Sequence, residues 1–182
     1  VADSTGHDEL HANSQQLLIS GNGTQRQFNG FASISVDAIH GGTDTAFFSG
    51  TDNRDTFLTK GNTAYAWGAD YHVGILGFES LNIDGRGGND VAILHGDQGN
   101  TEYKIDREQT SMSGQHFDIS VTDFESQRLN GNTGQNTISI QGFRETDRLT
   151  AEGASLLAYL DGMAIRAENF IWLDAEAEED HL

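Results

Sequence analysis

The chain has 182 residues, 28 of them acidic and 10 basic, for a formal charge of −18. Such a field repels nucleic acid and anionic membrane surfaces, and favours solubility and divalent cations. There is no cysteine, which excludes a disulfide framework and a thiolate metal site, and no run approaches the roughly 20 apolar residues of a membrane-spanning helix. With 22 glycines and no proline, turns fall to Gly, Asn and Asp, as expected of many short strands.

The opening Val1-Ala2-Asp3-Ser4-Thr5-Gly6 lacks the charged and apolar regions of a signal peptide and reads as a mature N-terminus. Gly6-His7-Asp8-Glu9-Leu10 then aligns with Asn53-Arg54-Asp55-Thr56-Phe57, 47 positions on. From Phe31 the chain repeats. Phe78, Phe124 and Phe170 follow at 47, 46 and 46 residues, and Gly42, Gly88 and Gly134 form a second column at 46. Ile34-Val36 and Leu81-Ile83 alternate with polar residues just after the phenylalanine, as a strand with one buried face does. The clusters Gly41–Asp44, Gly87–Asp90 and Gly131–Gly134 supply turns. A second strand follows at Ala46-Phe48, Ala92-Leu94 and Ile138-Ile140, and a third around Phe57, Tyr103 and Leu149. A fourth covers Tyr71-Val73-Ile75, Phe117-Ile119-Val121 and Met163-Ile165-Ala167. A helix is expected at most near Glu152–Leu160.

These elements predict an all-β parallel β-helix, or solenoid, of about four 46-residue repeats, each making two coils and burying inward columns. A small β-propeller is the alternative, since its blades also hold four strands. The chain divides into one repeat domain over 1–173, with a partial unit over 1–30, full units over 31–77, 78–123 and 124–169, and a partial unit over 170–173. An acidic tail over 174–182 is expected to fray.

The strings Gly87-Gly88-Asn89-Asp90-Val91-Ala92 and Gly41-Gly42-Thr43-Asp44-Thr45-Ala46, with Asn53-Arg54-Asp55-Thr56-Phe57, resemble the “GGNDTA…GNDTF” repeats of large secreted and surface proteins of planctomycete-type bacteria. The resemblance covers roughly residues 30–173 and implies an extracellular or cell-surface module with no assigned catalytic residue. Asp84-Gly85-Arg86-Gly87-Gly88-Asn89-Asp90 is also similar, in part, to the calcium-binding nonapeptides of RTX proteins. It departs from them at Arg86, where a glycine belongs, and no second nonapeptide follows.

Two groups of side chains are candidate sites. Asp44 and Asp90, with Asn136, hold equivalent positions in successive units, and Asp84 lies in a neighbouring column with Asp37 and Asn130. Stacked carboxylates repel unless a hard cation bridges them, so Asp44, Asp84 and Asp90 are candidate calcium ligands. The competing reading has each Asp or Asn bond the backbone amides of its own turn. Tyr65 and Trp67 are candidate carbohydrate contacts. No catalytic constellation is present: there is no Gly-x-Ser-x-Gly, and Arg86, Lys104 and Arg107 are the only bases near the middle units. The expected function is an extracellular or cell-surface structural module, a spacer, fibre subunit or adhesion unit. It would be stabilised by calcium and self-associate into an oligomer or filament, with no nucleic-acid partner and no membrane insertion. The alternative is a carbohydrate-binding or polysaccharide-degrading β-helix protein.

Overall fold

The computed structural model describes residues 4–177, and every regular element among them is a strand. The N-terminal partial unit forms β1 (Asp8–Asn13), β2 (Gln16–Gly21) and β3 (Thr24–Asn29). The unit over 31–77 holds β4 (Ser33–Asp37), β5 (Thr45–Ser49), β6 (Thr56–Lys60), β7 (Thr63–Trp67) and β8 (His72–Leu76). The next holds β9 (Ser80–Asp84), β10 (Val91–His95), β11 (Glu102–Ile105), β12 (Gln109–Ser113) and β13 (Asp118–Thr122). The third holds β14 (Ser126–Asn130), β15 (Thr137–Phe143), β16 (Arg148–Glu152), β17 (Ser155–Leu160) and β18 (Met163–Glu168), and β19 (Trp172–Ala177) opens a fourth. Each full unit is therefore two single strands followed by a three-stranded antiparallel meander.

The strands form a two-sheet solenoid. One sheet, called A, has nine strands in the order β4-β8-β7-β6-β10-β14-β18-β17-β16; the other, B, has ten in the order β3-β2-β1-β5-β9-β13-β12-β11-β15-β19. These are two continuous sheets, so the solenoid holds and the propeller does not. The chain crosses between them at every single strand and every meander, so a unit makes three passes, or one and a half turns, rather than two coils. Three is odd. Successive meanders therefore fall in opposite sheets: β1–β3 in B, β6–β8 in A, β11–β13 in B and β16–β18 in A. Each interior meander jumps ahead and stitches back. Thus β6 pairs in parallel with the later β10, while β8 returns to pair in parallel with the earlier β4.

The odd count rearranges what stacks on what. Residues 46 apart lie in opposite sheets, and neighbours within a sheet are commonly 35 apart, as in Thr45↔Ser80, Val91↔Ser126 and Thr137↔Trp172. The expected four strands per unit become five because the central meander strand hides its period. In β7 the small Ala64 and Ala66 face the core while Tyr65 and Trp67 face outward, and β12 is Gln-Thr-Ser-Met-Ser. The segment suggested as a helix is the β16–β17 hairpin. There Leu156, Ala158 and Leu160 are buried while Leu157 and Tyr159 are exposed, a period of two. Of the acidic tail, Asp174–Ala177 belong to β19, paired with β15; residues 178–182 lie outside the described part.

The core lies between the sheets and runs along the axis. Its repeating columns interlock across units: Phe57 and Phe124 have ring centroids 6.5 Å apart, and Tyr103 meets Phe170 edge-on at 5.1 Å. The two ends differ. At the N-terminal end, pairing of Ile19 with Arg26 matches pairing of Ala66 with Val73, so Arg26 stands in a column that Val73, Ile119 and Ile165 fill elsewhere. At the C-terminal end, Leu149 and Leu173 are only half-buried, while their counterparts Phe57, Tyr103 and Leu81 are buried. Beside them Ile171 and Trp172 are 64% and 65% exposed.

Candidate functional site

The acidic columns lie in the corners, where the chain passes from one sheet to the other. Asp44 precedes β5 of sheet B and Asp90 precedes β10 of sheet A. They therefore lie at opposite corners, and the candidate ligands Asp44 and Asp90 do not stack. What stacks is a set 35 or 36 residues apart. Asp44 Oδ1 accepts the Asp8 backbone N–H at 2.7 Å, and Glu79 Oε2 accepts that of Asp44 at 2.8 Å. In the opposite corner Asp90 Oδ1 accepts the Asp55 N–H at 2.6 Å, and Glu125 Oε2 accepts that of Asp90 at 2.6 Å. Asp84 serves its own turn, with Oδ1 accepting the Arg86 N–H at 2.8 Å; Asn130 does the same for Asn132. The amide-bonding reading thus holds for all three aspartates, with one change: Asp44 and Asp90 cap the neighbouring coil rather than their own.

The corner of Asp90 is electrostatically loaded. Asp90 Oδ2 is buried without a hydrogen-bond partner, and Asp55 and the Tyr71 hydroxyl are buried in the same corner. Burial, opposed in part by the Asp55 amide and reinforced by the Asp55 and Glu125 carboxylates, pushes the Asp90 carboxyl up to about 6. Burial first, then a hydrogen bond to Asp55 and the charge of that carboxylate, raises the Tyr71 phenol above its ordinary range. Among the described residues no three His, Asp or Glu side chains converge as a cation site would.

The second region is the outer face of sheet A. A cleft of about 880 Å³ is lined by Leu58, Lys60, Tyr65, His95, Gln98 and His116, among others. A second, of about 590 Å³, is lined by Leu58, Ile93, His95, Arg128, Arg166 and Glu168 with Leu129 and Asn130. Sharing Leu58 and His95, they form one groove across the strands. Of the two candidate carbohydrate contacts, Tyr65 lines this groove and stacks on His72 with centroids 5.9 Å apart. Trp67, two residues along β7, lies outside it. Burial, then the charge of Lys60, holds the His95 imidazolium below its ordinary range, so the ring is neutral near pH 7.

Arg128, Arg166, Leu58 and Ile93 were not singled out by the 46-residue columns. The signal that finds them is the cross-strand register, in which Tyr65, Leu58, Ile93, Arg128 and Arg166 are successive neighbours. Of the three bases near the middle units, Arg107 pairs with the buried Asp147, Lys104 pairs with Glu102 at the surface, and Arg86 stands in a corner at φ 68°.

Comparisons with family models, with curated proteins and with solved structures find no match to the chain.

Proposed function

We propose that this chain is a structural β-solenoid module, a spacer or fibre subunit, that lengthens into a rod by head-to-tail stacking of copies. The observation that carries the reading is the C-terminal end of the solenoid. Ile171 and Trp172 are largely exposed there, and the core columns of β16 and β19 end on the half-buried Leu149 and Leu173. A repeat protein normally closes such an end with a polar face.

In sheet B a second copy continues the strand order at this end, whereas in sheet A, where two single strands separate successive meanders, it supplies only β4 and leaves one strand position open beside β16. The β3 of that copy would continue sheet B beside β19, giving two single strands and then a meander, the same order as β5-β9-β13. The register of β9 with β13 sets Phe28 of that copy opposite Ala175, and Arg26 opposite Leu173. An inward charge on an edge strand deters pairing with uncharged edges. Here Asp174 and Glu176 of β19 face outward and β3 carries no acid, so no like charges oppose each other across the junction. The contact is heterologous and does not close on itself, so it propagates as a filament. The extracellular or cell-surface setting rests on the sequence resemblance.

The test is light scattering of the full chain from micromolar to millimolar concentration. Growth in mass with concentration, abolished by Trp172→Lys and weakened by Arg26→Glu, is the expected result. A monomer throughout, or growth indifferent to both substitutions, overturns the reading.

A further inference from the structure

The outer face of sheet A gathers four cations against three acids, Asp37, Glu152 and Glu168, whereas that of sheet B has Lys104 against six acids. Lys60 on β6, Arg128 on β14, Arg166 on β18 and Arg148 on β16 all point outward from this sheet. The outer face of sheet B bears Glu9, Asp84, Glu102, Asp118, Asp174 and Glu176. In a chain of net charge −18, an anion is drawn to the first face and turned away from the second.

From the register, Arg128 and Arg166 are direct neighbours, and Ile93, Leu58 and Tyr65 continue the same row. A parallel row places Lys60 beside His95, and His95 beside Asn130. Among the described residues Arg128 and Lys60 make no ion pair, while Arg166 is held by Glu168 at 2.8 Å. The groove crosses β7, β6, β10, β14 and β18, four spacings of about 4.8 Å, or roughly 19 Å. It is therefore an elongated site, apolar and aromatic at one end and cationic at the other. Amides line it at Asn62, Gln98, Asn130 and Asn132, and its acids are Asp97 and Glu168.

We propose that this groove binds an extended acidic polysaccharide bearing carboxylates. Guanidinium groups recognise carboxylates in a planar, two-bond geometry, which the adjacent Arg128 and Arg166 can supply. Tyr65, Leu58 and Ile93 offer an apolar floor to the C–H face of a sugar ring, and the amides and neutral His95 serve its hydroxyls. A peptide is the weaker occupant. All five strands are interior to the sheet, so no free backbone edge is available for strand addition. The groove is distant from the ends of the rod, and its occupation does not depend on head-to-tail stacking.

Calorimetry on the full chain, at a concentration where it is monomeric by scattering, tests the proposal with four probes: a polygalacturonate oligosaccharide, dextran sulfate, neutral dextran and poly-glutamate. The polygalacturonate is expected to bind, with affinity falling at least tenfold on Arg128→Gln and again with added salt. Arg128 is exposed, so an unchanged melting temperature in that variant verifies the fold. Tyr65→Ala should weaken binding without changing its salt dependence. Failure of polygalacturonate to bind, or binding indifferent to Arg128→Gln, overturns the proposal. Equal binding of poly-glutamate or of neutral dextran overturns the glycan or the charge part of it, and tighter binding of dextran sulfate overturns the preference for carboxylates.

Discussion

Asp90 Oδ1 accepts the backbone N–H of Asp55 at 2.6 Å, although the residues are 35 positions apart and both are buried. The same relation joins Asp44 to Asp8 and Asn136 to Thr101. One side-chain oxygen per coil thus satisfies a corner amide that the sheets leave unpaired. The third corner shows how the site can be completed: Asn136 Nδ2 donates to the Asn169 carbonyl at 3.3 Å, whereas Asp90 Oδ2 has no donor. The Asp123 carbonyl holds the position equivalent to that of Asn169, 46 residues earlier. Asp90→Asn should therefore keep the Asp55 bond, gain one to Asp123 and lose a buried charge. The expected result is a melting temperature higher by roughly 2–4 °C at pH 7, as about 1 kcal/mol gives in a chain of this size. A lower melting temperature would refute this account of the corner.

The same residue sets a pH dependence. Burial and the neighbouring carboxylates raise the Asp90 carboxyl to about 6 in the folded protein, from 3.8 for an unperturbed aspartate. Between these values the folded state holds a proton that the unfolded state has lost, so this group's contribution falls as pH rises. Its penalty is absent below about pH 4 and complete above about pH 6. Thermal melts of the wild type and Asp90→Asn across that window should diverge, with the variant's advantage growing toward pH 7. Parallel curves would show that Asp90 does not titrate there.

Much of the fold is legible in the repeat. The columns of Gly88 and of Val73 mark corners and the last strand of each meander, because each position meets the same physical surroundings in every unit. The parity of the path is not legible. A period of 46 says nothing about whether a unit makes two passes or three, and the strand that decides it, β7 with its inward Ala64 and Ala66, carries its large residues outward. Hence Asp44 and Asp90 read as stacked neighbours and lie at opposite corners. The groove was half legible: Tyr65 stood out as an aromatic, but Arg128 and Arg166 become neighbours only when β18 stitches back onto β14.

Two adjacent glycines separate backbone geometry from mere composition. Gly88 has φ 135°, and a Cβ there would sit 2.5 Å from the Asn53 carbonyl oxygen of the neighbouring coil. Gly87 has ordinary φ and open space around it. Gly88→Ala should cost about 3 kcal/mol, lowering the melting temperature by roughly 10 °C. Gly87→Ala should change it by no more than about 2 °C. Equal effects would mean that the corner yields to a side chain.

Arg107 ties the β11–β12 turn to the corner before β16. Its Nη2 donates to Asp147 Oδ2 at 2.6 Å and its Nε to the Gly142 carbonyl at 3.1 Å, with both ionic side chains largely buried. Arg107→Ala leaves a buried carboxylate without its cation and should cost about 3 kcal/mol in denaturant unfolding. Adding Asp147→Asn should recover part of that loss, since the stranded charge is then gone. Additive losses in the double variant would assign the effect to packing of the arginine stem.

Calcium separates the two readings of the acidic columns by experiment. Asp44 and Asp90 each commit one oxygen to a backbone amide of the adjacent coil, and Asp84 commits one to its own turn. A calcium ion takes six to eight oxygens at about 2.3–2.6 Å, and Asp44 and Asp90, in opposite corners with one oxygen each already committed, do not supply them together. The melting temperature in millimolar calcium should therefore match that in equal magnesium, each rising slightly over EDTA as a net charge of −18 is screened. A rise specific to calcium, lost in Asp90→Asn, would show that the corners exchange their amide bonds for a cation, and that the rod is metal-stabilised after all.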